Sequence, residues 1–261
     1  LKKFNFSLLY LIIIGELIFS LPFHISRFFR PSLIEEYSYS NTMLGVAFSV
    51  YGITALLSYV PGGIIADRFL PRYILFSSLL LTSIGGLFFL FNPNFLGLCI
   101  IYGFWGITTI LFFWAALIKA TSQIAGNRQG FSFGLLEGGR GLVASLCGSF
   151  AVIIYSSNIF VDCFSYLFSK KVSSLSVVIF FYSLLTFLAA FMILFLFKDS
   201  KVKRPLNNKK ISISSILNNI KPILCISIIV LSAYTGYKGI DYYSLYFYEI
   251  LNYSKEQSAL A

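Results

Sequence analysis

Apolar residues in this chain neither alternate nor keep to one helical face; they run on until short polar turns interrupt them. A helix needs about 20 apolar residues to cross a hydrocarbon core of about 30 Å. Seven stretches come near that length: 5–27, 42–65, 73–92, 95–118, 131–156, 173–197 and 222–248. From Tyr73 to Ile118 there is no charge at all, which is too long for one crossing, and Asn92-Pro93-Asn94 inside it supplies turn chemistry. That stretch predicts a helical hairpin. Ser40-Asn41-Thr42 opens the second stretch with side chains suited to the free amides of a helix start. Lipid gives backbone groups no partner, and no barrel-like alternation is present, so the spans are predicted as helices. The expected fold class is an all-α polytopic membrane protein.

Composition agrees with this pattern. Of the 261 residues 57% are hydrophobic and 11% charged, against roughly a quarter charged in soluble domains. Such a chain cannot cover a water-facing surface, so the lipid bilayer is its expected partner. Lys2-Lys3 and the apolar run to Phe23 imitate a secretory leader, but no small-residue cleavage site follows, and the segment reads as a first span. The net charge of +10 would suit nucleic acid if it were clustered on one face. Instead the cations sit in a few loops, which fits membrane orientation and no nucleic-acid partner.

With the N-terminus inside, thirteen cations fall on the cytoplasmic side: Lys2, Lys3, Arg68, Arg72, Lys119, Arg128 and seven between 198 and 221. Five fall outside: Arg27, Arg30, Lys170, Lys171 and Lys255. This predicts a cytoplasmic N-terminus, in a bacterial cytoplasmic membrane. The polar 198–221 segment, with Pro205 and Asn207-Asn208, is the expected boundary: a six-helix bundle over 1–197, a linker, and one further helix within 222–261. Its later part, 211–220, reads as a short amphipathic helix on the membrane surface. Cys99, Cys147, Cys163 and Cys225 have no zinc or redox spacing and read as small hydrophobes.

The turn between the second and third stretches reads Gly62-Gly63-Ile64-Ile65-Ala66-Asp67-Arg68-Phe69-Leu70-Pro71-Arg72. It resembles the loop signature of the major facilitator superfamily, Gly-x-x-x-Asp-Arg followed by Gly and basic residues. Gly63, Asp67 and Arg68 match in register; Leu70 stands where the common pattern has Gly, and Pro71-Arg72 replaces a basic pair. The Asp-Arg-x-x-Pro-Arg form is similar to the branch of organophosphate antiporters and sulfoquinovose-type transporters. Gly126-Asn127-Arg128-Gln129-Gly130, entering the fifth stretch, is similar to the same branch. The resemblance implies a cytoplasmic charge latch at Asp67, close helix approach at Gly63, supporting cations at Arg68 and Arg72, and a pairing of Arg128 with Asp67. It also implies that six spans, a basic linker and the start of another set belong to a two-bundle transporter cut short. It implies no cofactor.

Charges inside the spans are costly unless paired or hydrated. Glu137 and Arg140, three apart, share a helix face and read either as a mutual pair or as pathway lining. Glu16 lies mid-span and reads either as a proton carrier or as a hydrogen-bonded structural carboxylate. Lys238 and Asp241 sit among Gly236, Gly239 and several tyrosines, as in a weakened helix lining a polar cavity. By the resemblance, basic residues on spans one and seven flank an anionic group, placing Lys238 on one side and His24 or Arg27 on the other. A Lys238–Asp241 salt bridge is the competing reading. Tyr51 reads as a hydrogen-bond donor into the cavity or as aromatic packing.

One histidine, with no Walker pattern and no metal-spaced or Ser/His/Asp set, disfavours an enzyme and ATP-driven transport. The reading that follows is a secondary transporter of a small organic anion, coupled to a proton, sodium or a counter-anion. A non-transporting membrane receptor or assembly subunit is the alternative.

Overall fold

The computed structural model describes residues 6–167, 169, 171–197 and 219–260. The linker cations from Lys198 to Lys210, most of the expected surface helix, Lys170 and the N-terminal Lys2-Lys3 lie outside the described residues. The chain is all-α. Among the described residues, six helices are long and apolar enough to cross a membrane: Phe6–Phe28, Asn41–Arg68, Pro71–Phe89, Phe95–Ala125, Gln129–Ser156 and Ser174–Leu196. They are called spans one to six below.

Local chemistry sets the ends of these helices. Ser40 caps span two by accepting from the Met43 amide at 3.1 Å. Asn94 does the same for span four through the Gly97 amide at 2.9 Å. Asn92 takes φ +46° in the predicted hairpin turn, a left-handed conformation that Asn tolerates. Gly126 takes φ +53° between spans four and five, where a side chain would be strained.

Two spans widen into π-helical turns, at Ser20–His24 and at Thr108–Trp114. Pro22 explains the first, because it brings no amide to the ladder. In the second, the Ser78 hydroxyl donates to the Thr108 carbonyl at 2.6 Å, supplying a partner from span three. Trp105 Nε1 donates to the Thr82 carbonyl at 3.1 Å, a second polar tie between the same spans.

Span one is the most enclosed, with two thirds of its apolar window buried. It packs on span five through small residues: a Cβ on Gly139 would lie 2.7 Å from Ile12, and one on Gly15 would lie 3.2 Å from the Arg140 side chain. Span six holds it through Thr186, whose hydroxyl donates to the Leu17 carbonyl at 3.2 Å. Spans two and four close on each other at Gly106, where a Cβ would lie 2.6 Å from the Tyr51 carbonyl. Spans three and six pack together, with Phe76 and Phe191 edge-on at 5.6 Å.

The stretch expected as a seventh span differs. It is a 20-residue helix over Ile220–Gly239, followed by a 3-10 turn at Ile240–Tyr242 and a helix over Tyr243–Glu249. Its first seventeen residues are exposed, and it meets the bundle mainly beyond Lys238. Two short helices not read from the sequence, Arg30–Glu36 and Asn158–Leu167, finish the turns after spans one and five.

Candidate functional site

A cavity of about 1090 Å³ opens among spans one, two, four and five and the seventh helix. That volume accommodates a small organic solute. Among the described residues, neither span three nor span six lines it. Both π-helical turns face it, one through Phe23 and His24, the other through Ile110 and Trp114. Extra-wide turns are frequent at functional sites, and here each helps turn side chains into the cavity.

Span one carries Glu16, His24 and Arg27 along the cavity wall. Glu16 is buried and uses both carboxylate oxygens: Oε1 meets His24 Nε2 at 2.9 Å and Oε2 meets Arg140 Nε at 3.2 Å. Arg140 also reaches Glu137 Oε2 at 2.9 Å. The two readings left open for Glu137 and Arg140 therefore coincide, since the pair forms and both residues line the cavity. The Arg140 guanidinium lies 5.5 Å from the rings of Phe19 and Trp114.

The second group of charges joins span one to the seventh helix. Asp241 Oδ1 accepts from Arg27 at 2.7 Å and Oδ2 accepts from Lys238 at 2.8 Å. Lys238 Nζ also lies 4.0 Å from the centre of the Phe23 ring. The Ser244 hydroxyl donates to the Arg27 carbonyl, fastening the helix that follows. Of the two span-one partners considered for Lys238, Arg27 joins this group and His24 joins the Glu16 group. Tyr51 is buried; its hydroxyl shares a 2.7 Å hydrogen bond with Thr109, and its ring meets Phe23 edge-on at 5.0 Å.

The loop residues lie apart from this cavity. Asp67 and Arg68 are exposed. No ion pair joins Asp67 to Arg128 among the described residues. Arg128 instead stands at the start of span five, and Lys119 donates to the Ala66, Asp67 and Phe69 carbonyls at the end of span two. A cation there satisfies carbonyls that the helix end leaves open. The expected close approach at Gly63 is corrected as well: nothing lies within 4 Å of a Cβ built there, whereas one on Gly62 would lie 2.7 Å from the Leu111 carbonyl. The shift by one residue reflects which side of span two faces span four. Arg72 donates to the Tyr73 hydroxyl at 2.8 Å and lies over that ring.

Sequence reasoning missed Arg30, which it placed at the outer interface. Arg30 is 2% exposed and lines the cavity beside Tyr242. Helical spacing from His24 and Arg27 gave no signal for it, because Arg30 opens a separate short helix after the break at Phe29. Among the described residues, no group of three or more His, Cys, Asp or Glu side chains is arranged to hold a metal ion.

Comparison with known proteins fits this architecture. The chain is 31% identical over 225 residues to inner membrane protein YqcE of Escherichia coli (strain K12), covering 83% of this chain and 50% of that protein. It is 26% identical over 246 residues to inner membrane protein YihN of the same organism, covering 91% of this chain and 55% of that protein. The chain thus spans about half the length of these curated relatives. Its fold superimposes on a crystal structure of a bacterial homolog to the human lysosomal transporter Spinster, in an inward-facing and unoccupied conformation, with a TM-score of 0.77 at 18% identity over 98% of this chain and 57% of that one. The occupied inward-facing form gives a TM-score of 0.73 at the same identity, over 98% of this chain and 56% of that one. With six membrane-length helices among the described residues and a family match running over residues 12–261, the chain belongs to the Major Facilitator Superfamily.

Proposed function

We propose that this chain supplies the substrate cavity of a secondary active transporter that moves a small organic anion by alternating access. The substrate class is a phosphorylated or sulfonated sugar, and the N-terminus is cytoplasmic. One observation carries the reading: Arg27, Arg30, Arg140 and Lys238 converge with His24 on a cavity that, among the described residues, holds Glu16, Glu137 and Asp241 as its acids. A cation in a low-dielectric cavity attracts an anion far more strongly than it does in water. The Asp67-Arg68-x-x-Pro71-Arg72 loop supports the organophosphate and sulfoquinovose branch by resemblance, with Asp67, Arg68, Arg72 and Arg128 as its cytoplasmic gate. Glu16, hydrogen-bonded to His24, is the carboxylate placed to couple transport to protons; sodium or a counter-anion would leave that pair undisturbed.

The test is uptake of labelled sugar phosphates and sulfonates by proteoliposomes, with a neutral sugar as control. Lys238→Ala is expected to reduce anion uptake by about tenfold or more, as loss of a charge-assisted contact implies. Uptake that Lys238→Ala leaves unchanged rejects the anion site as drawn. A pH gradient that fails to drive uptake rejects the proton-coupled role of Glu16.

A further inference from the structure

The cavity's carboxylates are already committed. Both oxygens of Asp241 are taken by Arg27 and Lys238, and both oxygens of Glu16 by His24 and Arg140. Glu137 faces Arg140. Arg30 is the cavity cation that no carboxylate meets among the described residues. Its Nε donates to Asn41 Oδ1 at 2.9 Å, and its guanidinium carbon lies 4.5 Å from the Tyr242 ring centre. Those two contacts fix the plane of the guanidinium without neutralising it. Both terminal amino groups stay without an acceptor among the described residues, on a side chain that is 2% exposed.

A buried charge without a counter-ion is costly and stays in a fold only where something else compensates it. A neutral amide oxygen and an aromatic face compensate partly. An oxyanion would complete the set, because the remaining two amino groups match the paired oxygens of a phosphate, sulfonate or carboxylate. We infer that Arg30, oriented by Asn41 and Tyr242, is the primary contact for an oxyanion entering the cavity. Lys238 and Arg27 are then secondary contacts, available only as Asp241 releases them. This deepens the transporter reading and rests on it.

The probes are inorganic phosphate and inorganic sulfate, titrated into the purified detergent-solubilised protein against sodium chloride of equal ionic strength. Trp114, on the cavity wall, reports binding through its emission. Wild type should respond saturably to both oxyanions. Arg30→Gln should weaken binding by about tenfold or more, and Lys238→Gln by less, because a charged hydrogen bond is lost outright only in the first. Asn41→Asp is the variant that separates binding from folding. It gives Arg30 a carboxylate of its own, so it should abolish oxyanion binding while holding or raising the unfolding temperature.

Unchanged affinity in Arg30→Gln, or wild-type affinity in a folded Asn41→Asp, overturns the assignment. A larger loss in Lys238→Gln than in Arg30→Gln overturns it too, yet leaves the anion-transport reading standing. A wild type that answers to neither oxyanion sinks both. Should Arg30→Gln fail to fold, Asn41→Asp decides alone.

Discussion

The two charge clusters in the cavity are built from similar residues and held in different ways. Glu16, His24, Arg140 and Glu137 sit on spans one and five, where Gly15 and Gly139 leave room for the side chains of the facing span. Arg27, Asp241 and Lys238 join span one to a helix that is otherwise exposed over most of its length. The first cluster is enclosed by packing that forms without it. The second is itself a large part of the packing between its two elements. An ion pair buried between tightly packed spans acts as part of the fold, whereas one that carries an interface acts as a fastening that can be undone.

The comparison makes graded predictions. Removing the acid at the centre of the first cluster should cost most: Glu16→Ala leaves His24 and part of Arg140 without a partner in a buried site, and should destabilise by about 3 kcal/mol or more. Unfolding in detergent, followed by tryptophan emission, measures this; a loss below that of Asp241→Asn would reverse the ranking. Gly139→Leu should come next, at about 1–3 kcal/mol, because overpacking against Ile12 pushes span five from span one and draws Arg140 off Glu16. Gly63→Leu, with open space at its Cβ, is the control and should stay near wild type.

Asp241→Asn should change global stability less and geometry more. Releasing Arg27 and Lys238 together should widen the distance between spin labels on span one and on the helix over Ile220–Gly239. The charge-swapped pair, Arg27→Asp with Asp241→Arg, should recover the native distance in part, with a coupling of about 1 kcal/mol or more. Additive single effects would break the comparison at its second term.

The smallest expected effect is a pH dependence just beyond that cluster. Hydrogen bonds from Lys255 and then Tyr248 hold the Glu35 carboxyl below its ordinary value of 4.5. A carboxylate whose folded value is depressed stabilises above its unfolded value and loses that contribution as pH falls through the folded one. The contact between the helices Arg30–Glu36 and Tyr243–Glu249 should therefore loosen in acid below about 4.5 and hold above it. A spin-label distance between these helices, titrated with acid, reads this directly. In Glu35→Gln the distance should become independent of pH over that range.

Much of the fold was legible because lipid leaves a sequence few choices. The six spans, the hairpin at Asn92-Pro93-Asn94 and the cap at Ser40 follow from apolar run length and from turn and capping chemistry. The seventh stretch was harder, because its apolar and aromatic residues run on across the 3-10 turn at Ile240–Tyr242, where the helix narrows. For the cavity, single-span spacing gave which charges lie inside but not which lie together. Lys238 with Asp241 and Glu137 with Arg140 are local pairs and could be read three residues apart. The meeting of Arg140 with Glu16 is 124 positions long and depends on Gly15 and Gly139 leaving room for Arg140 and Ile12 of the facing spans. Arg30 was misplaced for a related reason: a cation near a span end looks like an interfacial anchor until the returning chain, here Tyr242, covers it.

The widened turn at Ser20–His24 has a mechanical consequence. It lies on the same rod between Glu16, which grips one neighbour, and Arg27, which grips another. A missing ladder bond at Pro22 makes that point the softest along the rod, as helix bends at proline and π turns show generally. Span one is thus jointed between its two grips, so its far end can swivel with the seventh helix while its near end stays seated against span five.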